Sequence, residues 1–165
     1  LRRLASAPMS PGAIVLGKWT GRVLLGLVQI AFAMLAGSVL FKMQWGPSLP
    51  MIALVLAGWA AFTAGLAVVL ANVTRTAAQT AGLGVFATQI LAALGGCWWP
   101  IDLEPRWMRQ VALAFPTTWA MDAFNDLMIR RRGFEVALRP AAVMLAYGLA
   151  YLGLGVALFR RRRIG

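Results

Sequence analysis

Five carboxylates, one thiol and no imidazole are all that this chain offers for acid–base, nucleophilic or metal chemistry. Asp122, Asp126 and Arg130 stand at successive four-residue steps, so a helix would carry them on one face. Two carboxylates so placed would suit general acid–base work. An acid four residues before a base is also the order that pairs along a solvated helix, which accounts for them with less. Cys97 is the only cysteine, which excludes an intrachain disulfide framework. With no His beside it, the usual tetrahedral Zn site cannot be assembled. No stretch reads G-x-x-x-x-G-K-[ST]; Gly82-Leu83-Gly84 lies in an apolar run with no Lys after it. No catalytic, cofactor-binding or metal-binding residue is therefore assigned.

The elements that would position these residues are apolar to an unusual degree. Of 165 residues, 61% are hydrophobic and 13% charged, with a mean hydropathy of +0.75; soluble domains carry about 25% charged residues. Charge is absent from Val23 to Phe41, Met43 to Thr74, Thr76 to Ile101 and Pro140 to Phe159. A helix of about 20 apolar residues crosses a hydrocarbon core of roughly 30 Å, and these runs meet or approach that length. The net charge of +11 does not point to nucleic acid. Its Lys and Arg flank the apolar runs instead of gathering on one soluble face.

An all-α integral membrane domain over 1–165 is thus expected, with spans at about 14–41, 50–72, 77–98 and 140–159. Residues 1–10 form a cytoplasmic segment, and 160–165 a basic cytoplasmic tail. Ser10-Pro11 reads as a helix start. Lys18 and Arg22, four apart beside Trp19, suit a helix emerging through headgroups with its basic side chains snorkelling to water. Gln44-Trp45-Gly46-Pro47 reads as a turn, with Ser48 and Pro50 restarting a helix. Ala78 with Gly82, and Ala92 with Gly96, keep the small-xxx-small spacing that lets helices approach. All five acids lie between 100 and 139. There Pro105 is expected to open one short amphipathic helix, and Thr117 or Thr118 to cap a second. Both are too short to span, so an interfacial or re-entrant hairpin over about 100–132 is expected. The run Arg160 to Arg163 places the C-terminus in the cytoplasm, and four spans return the N-terminus there. The opening Leu-Arg-Arg, without Met, suggests a fragment lacking N-terminal spans.

The spans hold no ionisable interior residue, which disfavours an ion-coupled carrier. Gln29, Ser38, Thr63, Gln79, Thr80, Thr88 and Gln89 read as interhelical hydrogen-bonding groups. Energy for uphill transport would have to arrive through a cytoplasmic contact. The stretches LRRLASAPMSP at 1–11, GGCWWPIDLEPRW at 95–107 and FPTTWAMDAF at 115–124, in that order and ahead of a basic tail, resemble the membrane permeases of type-2 ATP-binding-cassette exporters. The resemblance covers nearly the whole chain, as the C-terminal part of such a permease. It implies a half-transporter that pairs with a second permease copy, homo- or heterodimeric, and with a nucleotide-binding ATPase subunit. That subunit hydrolyses the ATP, and this chain binds no cofactor. Arg2, Arg3, Leu4, Pro8 and Met9 would lie in the coupling segment, and Gly96, Pro100, Pro105, Trp107 and Pro116 in the outer hairpin. The expected setting is the cell membrane. The competing reading is a non-transporting membrane scaffold or assembly factor. An intramembrane enzyme is disfavoured by the lack of His and of any acid within a span.

Overall fold

The computed structural model describes residues 11–99, 103 and 105–164. Among them every long regular element is a helix and none is a strand: α1 (Pro11–Phe41), α2 (Leu49–Val73), α3 (Ala77–Leu94), α4 (Arg106–Ala112), α5 (Pro116–Phe124) and α6 (Glu135–Ile164). A single π-helical turn (Asn125–Ile129) extends α5. Four of the helices, α1, α2, α3 and α6, are long and apolar enough to cross a membrane.

The ends of these helices follow from local chemistry. After α1, Lys42 adopts a left-handed φ of 51° and the Trp45 indole N–H donates to the Ser38 hydroxyl at 2.7 Å, folding the loop back. The Ser48 carbonyl accepts from the Met51 and Ile52 amides as α2 begins, with Pro50 in its first turn. Between α2 and α3, the Thr76 hydroxyl caps the Gln79 amide while the Gln79 side chain accepts from the Arg75 amide. That reciprocal pair is a variant of the capping box. The third span, expected to reach 98, ends as a helix at Leu94. Gly96 holds a left-handed φ of 78° and the Cys97 amide reaches the Ala92 carbonyl at 3.0 Å, a Schellman closure. The last helix, expected from Pro140, begins five residues sooner at Glu135. Pro140 costs one hydrogen bond in its second turn, and the burial of Ala137 and Ala141 offsets it.

The packing centres on α2 and α6, which run parallel. Gly58 lies against Met144, Gly65 against Tyr151 and Gly148, and Gly155 against Val68, so both residue numbers rise together. Helix α1 is antiparallel to α2, with Gly26 at Ala60 and the Trp19 indole N–H donating to the Ala61 carbonyl at 3.1 Å. A buried cluster of Ile52, Val55, Ala120, Ala123, Leu127, Ala137, Ala141 and Met144 joins α2, α5, the π turn and α6 at one end of the bundle.

Two sequence expectations are corrected. The Ala78–Gly82 pair on α3 makes no close helix contact within this chain: Gly82 has nothing within 4 Å of an added Cβ, and α3 buries no residue. The glycines that bring helices together instead recur at seven-residue steps, 58 with 65 and 148 with 155. Most polar span residues bond to their own helix. Ser38, Thr63 and Thr88 donate to the Met34, Trp59 and Gly84 carbonyls, all one turn back. Thr80 meets the Thr74 hydroxyl at 2.6 Å across the α2–α3 joint.

Candidate functional site

The short helices α4 and α5 form a hairpin at the end of the bundle where α3 finishes and α6 begins. Pro105 caps α4, and Pro116 sits in the first turn of α5. The cap on α5 is Phe115 rather than a threonine, because Pro116 supplies the first helical position ahead of both hydroxyls. Thr118 is buried and turns back to donate to the Ala112 carbonyl at 2.6 Å. The Trp119 indole N–H donates to the Leu113 carbonyl at 3.0 Å, and the Tyr147 hydroxyl of α6 donates to the Ala114 carbonyl at 2.6 Å. Three successive carbonyls at the exit of α4 thereby accept from side chains, and the Ala112 carbonyl accepts from the Phe115 amide as well. Arg139 lies 5.0 Å from the centre of the Trp119 ring, a second tie between hairpin and α6.

The tip of α3 closes against the same hairpin. Gly95 is buried so tightly on Thr117 that a Cβ would collide with that side chain. Gly96 provides the left-handed turn beside it. Trp107 is 68% exposed, and of the apolar face expected of α4 only Ala112 is fully buried within this chain, with Met108 half-buried. Arg2, Arg3, Leu4, Pro8, Met9 and Pro100 lie outside the described residues.

Beyond α5 the π turn lets the Arg130 amide reach the Asn125 carbonyl, and the Asp126 carboxylate pairs with Arg130 at 2.8 Å and Arg132 at 3.4 Å. Arg131, at a left-handed φ of 48°, donates to the Gln44 side chain at 2.9 Å. Gly46 abuts the Leu127 carbonyl in the π turn. The α1–α2 loop and the segment after α5 are thus locked to one another. The Asp126–Arg130 pair expected from spacing forms, and its role is to hold this loop. Composition could not reveal the π turn.

The hairpin divides two cavities of different chemistry. One, about 440 Å³, has a mixed lining that includes Cys97, Trp99, Arg109, Asp122, Asn125 and Arg130. Desolvation raises the Cys97 thiol above its usual range, so it is mostly protonated at neutral pH. The other, about 370 Å³, is an apolar groove between α2, α3, α5 and α6 whose lining includes Leu66, Leu83, Phe86, Phe115, Tyr147 and Tyr151. The Phe62 ring meets both tyrosines edge-on, at 6.2 and 5.6 Å between centroids. Such a groove suits an apolar or aromatic molecule with a few polar tips. Among the described residues no cluster of three or more His, Cys, Asp or Glu could hold a metal ion.

Comparison with known proteins agrees with this architecture. The family model for ABC-2 type transporters matches residues 1–129. The chain is similar to the linearmycin resistance permease protein LnrN of Bacillus subtilis, 25% identical over 158 residues, which cover 96% of this chain and 41% of the relative. It is also similar to ABC transporter G family member 20 of Dictyostelium discoideum, 27% identical over 137 residues, which cover 82% of this chain and 18% of that protein. The chain thus spans well under half the length of both relatives. No solved structure matches. A bundle of four apolar helices capped at one end by a short helical hairpin, with a family match over most of its length, identifies a multi-pass membrane component of an ABC transporter: the chain belongs to the ABC-2 type transporter family.

Proposed function

We propose that the chain forms part of the translocation path of an ATP-driven exporter. Its energy would come from a separate nucleotide-binding subunit, and its path would be completed by a second permease copy. The observation that carries the reading is the 31-residue helix α1, continuous from Pro11 and pinned to α2 by Trp19. No interior charge on the four long helices is available to harvest an ion gradient. A push on residues 1–10 would therefore move α1 as a body and bear on α2 and, through it, α6. The arginine tail supports cytoplasmic termini, and a plasma membrane is the natural setting. Export is the direction that a resistance permease among the relatives favours.

Arg2 and Arg3 are proposed to dock on the ATPase within a segment that also holds Leu4, Pro8 and Met9. Replacing both with Glu in the full-length permease should weaken ATPase binding and uncouple hydrolysis from transport, with membrane insertion intact. Normal co-purification and transport by that variant would remove the docking role. A permease that associates with no ATPase at all would favour the scaffold reading.

A further inference from the structure

At the end of the bundle opposite the hairpin, α1, α2 and α6 leave a cavity of about 430 Å³. Val15 and Val68 are buried at its floor beside Asn72, Phe159 lies half-exposed on one wall, and the exposed Lys18 and Arg22 complete the lining. The rotation of α1 is fixed by the Trp19–Ala61 hydrogen bond and by Gly26 against Ala60, so the side bearing residues 15, 18 and 22 faces the groove between helices. Among the described residues neither cation has a carboxylate partner. The described acids Asp122, Asp126 and Glu135 all belong to the hairpin end.

The depth of this pocket is set by helix length. Arg22 stands about 29 Å along the axis from Phe41, at 1.5 Å per residue, which is one hydrocarbon thickness. Lys18 lies about 6 Å further out, one helical turn. Both cations therefore sit at phosphate depth when the outer end of α1 sits at the opposite interface. Arg160 and Arg161, exposed just past Phe159, add to the positive potential there. Simple snorkelling would send such side chains along the lipid-facing side of one helix to any headgroup. Here the two exposed cations line one recess formed by three helices.

We propose that this pocket binds the phosphate headgroup of an anionic phospholipid, with Lys18 and Arg22 on the phosphate and the glycerol and first methylenes against Val15, Val68 and Phe159. The apolar floor and the opening at membrane depth select a lipid over free phosphate. Each basic residue near an anionic surface contributes roughly fivefold in affinity.

The full-length permease in detergent, titrated with phosphatidylglycerol and with phosphatidylcholine and read by native mass spectrometry, tests this directly. Phosphatidylglycerol should bind roughly tenfold or more tightly than phosphatidylcholine. The Lys18→Gln/Arg22→Gln variant should lose roughly 25-fold for the anionic lipid alone, and Lys18→Arg/Arg22→Lys should retain binding. If the double variant does not fold, each single change should lose roughly fivefold. Unchanged binding in these variants, an equal loss with Arg75→Gln at the same end of the bundle, or displacement of the lipid by equimolar inorganic phosphate would each overturn the proposal. ATPase association plays no part in this readout, so the outcome is independent of the exporter reading.

Discussion

Thr117 and Thr118 are neighbours in sequence and both buried, yet their hydroxyls have opposite standing. The Thr118 hydroxyl donates to the Ala112 carbonyl, whereas the Thr117 oxygen has no hydrogen-bond partner among the described residues. A hydrogen bond contributes about 0.5–1.5 kcal/mol net, and leaving a buried partner unsatisfied costs about 1–3 kcal/mol. Thr118→Val keeps the shape and removes one of two hydrogen bonds to the Ala112 carbonyl, which still accepts from the Phe115 amide, so it should destabilise by about 0.5–1.5 kcal/mol. Thr117→Val removes a hydroxyl that is already unpaired and should be neutral or stabilising. Thermal unfolding of the purified permease separates the two, and a larger drop in Tm for Thr117→Val would contradict the assignment. Nothing in the sequence distinguishes these residues, since each is a threonine one or two positions after Pro116 in a segment with helix-start chemistry. The difference arises from the end of α4 packing over one of them.

At the scale of elements, the union of α2 with α6 depends on four glycines. An added Cβ at Gly148 would stand 3.1 Å from the Ala61 backbone carbon and 3.2 Å from the Phe62 amide nitrogen, and backbone cannot yield as a side chain can. Overpacking of this kind costs about 1–3 kcal/mol, and more when helices must separate. Gly148→Leu should therefore lower the yield of folded, monodisperse protein or its Tm. Gly82→Leu, facing open space on α3, should leave the isolated chain's stability unchanged. Equal losses from both substitutions would argue against α2–α6 packing as the anchor of the bundle. The apolar runs made the existence of the long helices legible, and Pro105 and Pro116 marked where the two short ones begin. Which glycines serve packing was not legible, because Gly and Ala occur on every span and only the crossing partner decides. The seven-residue spacing of Gly58 with Gly65 and of Gly148 with Gly155 was present as a signal. It matched none of the four-residue small-xxx-small patterns sought. The early start of α6 was hidden for a related reason: Pro140 reads as a boundary until Ala137 is seen buried in the core.

For the molecule as a whole, direction is the property on which transport depends, and the packing constrains it. Helices α2 and α6 are parallel, and α3 between them is antiparallel to α2, with Gly84 near Leu70 and the Thr74–Thr80 contact joining their ends. If the hairpin of α4 and α5 crossed the membrane once, α6 would have to run against α2. It does not, and α4 and α5, of 7 and 9 residues, reach only about 10–14 Å each at 1.5 Å per residue. The hairpin therefore begins and ends on the side where α3 exits. The α1–α2 loop lies there too, since Arg131 reaches Gln44. With the arginine tail assigned to the cytoplasm by the positive-inside rule, Ser48 and Glu135 are expected outside and Ile164 inside. In full-length permease with Cys97 replaced by Ser, an impermeant maleimide applied to intact cells should label Ser48→Cys and Glu135→Cys. Ile164→Cys should react only after permeabilisation. The two outer positions must behave alike whatever the absolute orientation, because they share one end of the bundle. Labelling of Ile164→Cys alone in intact cells would invert the assigned direction and leave the fold standing. Labelling of only one of Ser48→Cys and Glu135→Cys would contradict the parallel packing of α2 and α6 itself.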